Sequence, residues 1–256
     1  MKNVAILISG GGTTAEATIK ACKHGKLKDA NPIVISSNPD AKGNERVKNL
    51  GISPYIIDRK QTTSREEFDK KLLELLEKLD IDIVALMGWT TLVPASIVSK
   101  YKGRIFNQHP GPMDPGRPDF GGAGMSTPYR VNSALLAYVW ATGDTLSAES
   151  DTHFVTEKFD MGDLIRTERM EIPRKKELIT IDELIKNPEE LIKTTHELQK
   201  EFYLVEHKNV IETLQLFLNG NVKPFKRNVP LIPNKNIPIL NEAKDLATKL
   251  FPSYNL

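Results

Sequence analysis

Short apolar runs alternate with helical stretches through the first 110 residues, and this alternation constrains the fold more than any other feature of the chain. Residues 4–8, 33–35, 55–57, 83–87 and 104–107 each read as a strand. The glycine turn at 10–12 opens a helix that runs to about Lys23. Ser64 with Glu67 forms a capping box ahead of Phe68, Leu72, Leu75, Leu76 and Leu79 at helical spacing. Strands alternating with helices predict an α/β fold, a doubly wound and mostly parallel sheet with helices on both faces.

Beyond residue 110 the pattern changes. Residues 110–128 hold five of the 16 prolines, and five of the 16 glycines lie within 111–124. A loop of that length inside a domain is usually functional or disordered. A helix is expected over 128–140 and strands over 148–155 and 164–172. Asn187-Pro188-Glu189-Glu190 offers a cap and a first-position proline for a helix that continues to about Leu218. The last 33 residues, from Pro224, carry five prolines and little periodicity. The expected organisation is one domain over 1–220 and a helical or irregular extension over 221–256 packed on the surface.

Composition narrows the function classes. The net charge of +2 is far from that of a nucleic-acid coat. The single cysteine, Cys22, excludes an internal disulfide and a cysteine metal cluster, and fits a reduced, cytoplasmic setting. No apolar run reaches the roughly 18 residues of a membrane helix. No metal-ligand spacing appears. The expected partners are small molecules, with neither nucleic acid nor membrane, and the chain is expected to be a monomer or homodimer.

Three segments carry candidate chemistry. Ser9-Gly10-Gly11-Gly12-Thr13-Thr14 joins the first strand to the first helix. Glycines let a backbone approach an anion, and a helix N-terminus offers free N–H groups, so a phosphate cradle and a plain tight turn both fit. The spacing of Gly10, Gly12 and Ala15 also satisfies a loose dinucleotide fingerprint. The acid that fingerprint requires is missing after the second strand, which ends Ser36-Ser37-Asn38. In Asn107-Gln108-His109-Pro110, Asn107 and His109 share one face at the carboxyl end of a strand, where open α/β sheets place their ligands. An amide and an imidazole there can hold a developing oxyanion and move a proton. The third segment runs from His153 to Asp160-Met161-Gly162, and Asp-x-Gly after a strand is also an ordinary turn.

Together these segments resemble the folate-dependent formyltransferases, most nearly the branch that acts on glycinamide ribonucleotide in purine synthesis. The resemblance covers roughly residues 3–220. Beyond the three segments it rests on Ser64-Arg65-Glu66, Met87-Gly88-Trp89, Glu206-His207 and Phe217-Leu218-Asn219-Gly220. It implies a Rossmann-like fold and a catalytic trio of Asn107, His109 and Asp160. It implies that Gly12, Thr13 and Thr14 hold the substrate phosphate, and that Gly88 and Glu206 lie against the amine substrate. It places Arg65, Trp89, Thr91, Leu92, Val93 and Val155 around 10-formyltetrahydrofolate, the co-substrate. The implied reaction is attack by a primary amine on the formyl carbon. His109, near its free pKa of ~6.5, is expected to be cationic, with the Asp160 carboxylate raising that pKa.

The chain also departs from the family. His109-Pro110 is followed by Gly111-Pro112-Met113-Asp114-Pro115 rather than Ser-Leu-Leu-Pro. Residues 116–122 replace a stretch where the family often carries another histidine. Thr91 stands where arginine is frequent, and Glu149 where glycine is common. Residues 174–203 and the tail after Gly220 are longer than usual. Arg117 and Asp119 either read a substrate or form a salt-bridged loop. Another amine acceptor, such as an amino-sugar nucleotide, is the alternative for the function; a non-catalytic folate or nucleotide binder of the same fold is a further one.

Overall fold

The computed structural model describes residues 1–114, 117, 119–121, 125 and 127–252. Of the long loop expected over 111–127, Pro115, Gly116, Pro118, residues 122–124 and Ser126 therefore lie outside the described residues. Seven strands build one sheet: β1 (Lys2–Ile8), β2 (Ala30–Ser36), β3 (Tyr55–Ile56), β4 (Ile83–Leu86), β5 (Ile105–His109), β6 (Ala148–Phe154) and β7 (Leu164–Met170). Their spatial order is β3-β2-β1-β4-β5-β6-β7. Pairing is parallel from β3 to β5 and antiparallel for β5–β6 and β6–β7. The expected mostly parallel α/β sheet is present. Strand order reverses between β1 and β4, which opens the ligand crevice at their carboxyl ends.

The helices are α1 (Thr13–Lys23), α2 (Lys42–Lys48), α3 (Arg65–Lys78), α4 (Ala95–Lys100), α5 (Pro128–Thr142), α6 (Ile181–Lys186), α7 (Glu189–Leu218) and α8 (Ile237–Leu250). Alternation along β1 divides the core between the two faces. Val4, Ile6 and Ile8 pack with Ile19 of α1 and Val210, Leu214 and Phe217 of α7. Ala5 and Leu7 pack with Phe68, Leu72 and Leu76 of α3 and Ile97 of α4. A third cluster joins α5 to Phe202 of α7 and to Leu240, Ala243, Leu246 and Ala247 of α8.

Several local expectations need correction. Helices α2, α4 and α6, of seven, six and six residues, are too short to show a helical period and were not anticipated. Ser64 caps α3 by accepting from the Glu67 N–H, but the Glu67 carboxylate bonds Thr63 instead of closing the box. A complete box caps α6, between Thr180 and Glu183. Asn187 ends α6 rather than starting α7, whose N-cap is Pro188. The expected C-terminal extension is present and helical, and it does more than lie on the surface. Its helix α8 turns Leu240, Ala243, Leu246 and Ala247 into the third core cluster, and Phe225 exchanges two backbone hydrogen bonds with Leu164 of β7.

Candidate active site

The site begins with the end of β5. Asn107 and His109 both line one cavity of about 360 Å³ at the carboxyl edge of the sheet. Gln108, between them, donates to Glu206 Oε1 at 3.0 Å and to Ser150 Oγ at 3.3 Å. Asp160 reaches the same cavity from the loop after β6. Two backbone features put it there. Asp160 has a left-handed φ of 53°. At Gly162 a Cβ would lie 1.7 Å from the Phe154 carbonyl oxygen, so only glycine lets this loop fold back over the end of β6.

Asp160 faces three side chains at once. Its Oδ2 lies 3.8 Å from His109 Nδ1, and its Oδ1 accepts from Asn107 Nδ2 at 3.3 Å. His153 Nε2 is 3.5 Å from the same Oδ1 and 3.1 Å from Asn107 Nδ2. His153 Nδ1 donates to the Phe154 carbonyl at 2.9 Å, which leaves Nε2 facing the Asn107 amide. A register shift in the β6–β7 ladder between Thr152 and His153 sets this ring at the edge of the site.

The expected charge state of His109 is overturned. The ring is 3% exposed, and its desolvation pushes the pKa below the ordinary value of 6.5. Asp160 and the Phe120 backbone push upward, while His153 and Lys244 push downward. Desolvation prevails because 3.8 Å is too long for a hydrogen bond to the carboxylate. The ring is therefore neutral at pH 7, and among the described residues its buried Nε2 has no hydrogen-bond partner.

Around this centre Leu86, Gly88, Trp89, Thr91, Leu92, Val93, Val155 and Glu206 complete the cavity wall. Trp89 is packed on Phe68 with ring centroids 5.9 Å apart, so its indole is fixed as part of the wall. Glu206 of α7 is 3% exposed, accepts from Gln108 and from Gln199, and is pushed up to about 7 by burial.

Gly12, Thr13, Thr14 and Arg65 are not part of this lining. Gly12 caps α1 at a left-handed φ of 70° with no side-chain cap, leaving the first-turn N–H groups at the β1 edge. A Cβ on Gly12 would lie 2.5 Å from the Gly43 Cα, so two glycines pack the loop against α2. Ser9 ties the loop to the cavity wall. Its N–H donates to the Gly88 carbonyl, and its Oγ accepts from the Thr90 N–H. Arg65 ion-pairs with Asp69 at 2.8 Å and donates to the Leu92 carbonyl, so it supports the wall from behind. Arg117 and Asp119 form a 3.2 Å salt bridge, the structural alternative for that pair.

Sequence reasoning missed four contributors. His153 was noticed only as part of a strand, and Gly43, Gln108 and Gln199 carry no local signal. Apart from Gln199, which bonds Glu206 seven residues on, their roles depend on contacts across 31 or more residues of chain: Gly43 on Gly12, His153 on Asn107 and Gln108 on Glu206. Among the described residues no group of His, Cys, Asp and Glu is arranged to hold a metal ion, and no helix is long and apolar enough to cross a membrane.

The comparisons with known proteins agree with this geometry. The sequence model of the family described as formyl transferase matches residues 2–195. The chain is 32% identical over 163 residues to the phosphoribosylglycinamide formyltransferase of Escherichia coli (strain K12), covering 64% of this chain and 70% of that one. It is 30% identical over 220 residues to the trifunctional purine biosynthetic protein adenosine-3 of Homo sapiens, covering 86% of this chain but 19% of that protein, so it spans about a fifth of that relative. The crystal structure of glycinamide ribonucleotide transformylase 1 from Symbiobacterium toebii superposes with a TM-score of 0.66 at 27% identity, covering 86% of this chain and 89% of that one. Phosphoribosylglycinamide formyltransferase from Bacillus halodurans gives a TM-score of 0.61 at 29% identity over 85% and 95%. With a family match across three quarters of its length and a sheet that carries the trio at one edge, this chain belongs to the formyl transferase family.

Proposed function

We propose that the chain transfers the formyl group of 10-formyltetrahydrofolate to the primary amine of glycinamide ribonucleotide. The observation that carries this reading is the convergence of Asn107, His109 and Asp160 on one cavity with an apolar wall. The amine nitrogen forms a bond to the formyl carbon, the bond from that carbon to the folate nitrogen breaks, and the amine proton passes to the folate nitrogen. The folate co-substrate supplies the activated formyl group; the chain supplies positioning and proton handling.

Asn107 is the donor for the formyl oxygen as charge develops on it. Its longer hydrogen bond, the 3.3 Å one to Asp160, is the one it can exchange for that oxygen. A neutral, buried His109 accepts a proton as the attacking nitrogen becomes positive, with Asp160 opposite to stabilise the imidazolium. Glu206 and Gly88 line the acceptor side, and the first-turn N–H groups of α1 behind Gly12, Thr13 and Thr14 suit the ribonucleotide phosphate. Trp89, Thr91, Leu92, Val93 and Val155 form the slot for the folate ring, and Arg65 holds that wall through the Leu92 carbonyl.

The test is release of tetrahydrofolate from 10-formyltetrahydrofolate, measured with and without glycinamide ribonucleotide. Turnover is expected only with the acceptor. His109→Ala and Asp160→Ala should each lower kcat by ~100-fold or more, the scale of losing one group that stabilises the transition state. Both variants should keep a cooperative melt. Turnover without the acceptor, or near wild-type rates in either variant, would sink the assignment.

A further inference from the structure

The C-terminal extension touches the loop after β5 at each of its ends. Arg227 Nε donates to the Met113 carbonyl at 2.7 Å, and its Nη2 meets the carboxylates of Glu149 and Asp151. Asp151, opposite His109 in the β5–β6 ladder, accepts in turn from the Met113 N–H at 2.8 Å. The Leu231 N–H donates to Asp114 Oδ2, and Arg117 donates to the Ile232 carbonyl. At the far end Lys244 of α8 donates to the carbonyls of Asp119 at 2.8 Å and Gly121 at 3.1 Å.

The residue between those two carbonyls is Phe120. It is fully buried, its Cβ lies by Gly111, and its backbone acts directly on the His109 ring. A Cβ at Gly111 would sit 3.5 Å from His109 Nε2 and 2.2 Å from a Val131 methyl, so the loop lies closely over the imidazole. Two departures from the family, the rewritten loop and the long tail, thus meet in space. Glu149, where glycine is common, is answered by an arginine from that tail.

We propose that Lys244, in a helix outside the catalytic segments, is a positioning residue for His109: it pins residues 119 and 121 so that Phe120 seals the imidazole from water. This rests on the reading of His109 as a catalytic group. Among the described residues, the titratable groups facing His109 are Asp160 from the β6–β7 loop, His153 from β6 and Lys244 from α8. Those facing Lys244 are Asp119, Asp160 and its neighbour Asp245. Removing the ammonium deletes one positive charge near the ring and loosens the seal that desolvates it. Both changes favour the imidazolium, and the desolvation relieved is a larger effect than the upward push of the Phe120 backbone that is lost with it.

The experiment compares Lys244→Met with Lys244→Arg in the full chain. The His109 titration is followed by NMR on histidine-labelled protein without any substrate, with the resonance assigned by His109→Asn. The expected result is a His109 midpoint raised by at least half a pH unit in Lys244→Met and restored in Lys244→Arg. In the formyl-transfer assay, kcat should fall about tenfold in Lys244→Met with KM for the folate changed less than twofold. Leu246→Ala, which loosens α8 but removes neither Lys244 hydrogen bond to the loop, should lower Tm yet leave the midpoint in place. An unmoved midpoint in Lys244→Met, or an equal movement in Leu246→Ala, would overturn the proposal. Because the titration needs no substrate, a failure of the formyl-transfer assay alone leaves this result readable.

Discussion

At the scale of single residues, the site depends as much on absent side chains as on present ones. Asp160 reaches Asn107 only because Gly162 passes within contact distance of the Phe154 carbonyl. Gly162→Ala forces its methyl into that oxygen, and the loop must move. The expected outcome is a loss of formyl transfer comparable to that of Asp160→Ala, with a fall in thermal stability measured by calorimetry. An alanine variant with wild-type kcat would mean that the loop can place Asp160 by another route. The shared face of Asn107 and His109 was legible in the sequence because it follows from strand alternation; Asp160, in a turn that is also an ordinary one, was singled out only by the resemblance to the family. The neutral state of His109 was not legible, because it depends on desolvation by burial in the folded chain rather than on nearby residues in the sequence.

At the scale of elements, α7 delivers Glu206 into a buried polar cluster with Gln108 and Gln199. Burial raises this carboxyl from 4.5 to about 7, with the two amides acting in the opposite direction. The folded chain then holds a proton that the unfolded chain releases between those values. Stability from this group is complete below pH 4.5, falls as pH rises toward 7, and is level above it. Glu206→Gln removes the dependence. Relative to wild type it should gain up to about 3 kcal/mol between pH 4 and pH 8, read from urea unfolding at both values. A difference that stays constant with pH would show that the carboxyl titrates normally in the fold. The long period of α7 announced this helix in the sequence, as the runs 4–8 and 83–87 announced β1 and β4. The six- and seven-residue helices were silent because less than two turns gives no period to detect.

At the scale of the whole molecule, the boundary drawn at residue 220 does not separate two cores. Leu240, Ala243, Leu246 and Ala247 complete the cluster around α5, and Arg227 is the cation that answers the buried Glu149 and Asp151. Asp151, fully buried, is raised to about 7 even with Arg227 in place, chiefly by desolvation and by Glu149. Ending the chain at Gly220 would uncover the α5 face and take Arg227 from Asp151, leaving Glu149 with Arg169 alone, and breaking a buried pair costs roughly 3–5 kcal/mol. The truncated chain should lack a cooperative melt and bind a hydrophobic dye. A melt within a few degrees of the full chain would mean that residues 1–220 fold alone.

The sequence by itself determined the α/β class, the strands at the centre of the sheet and the glycine loop ahead of α1. All of these follow from local periodicity, turn chemistry and motif spacing. Tertiary structure alone decided that His109 is buried neutral, that His153 joins it, that Arg65 braces a wall instead of facing the cavity, and that the tail is structural. Those outcomes turn on desolvation and on contacts between residues as far apart in the chain as Met113 and Arg227. Neither is written in any short stretch of sequence, because both depend on which surfaces the folded chain removes from water.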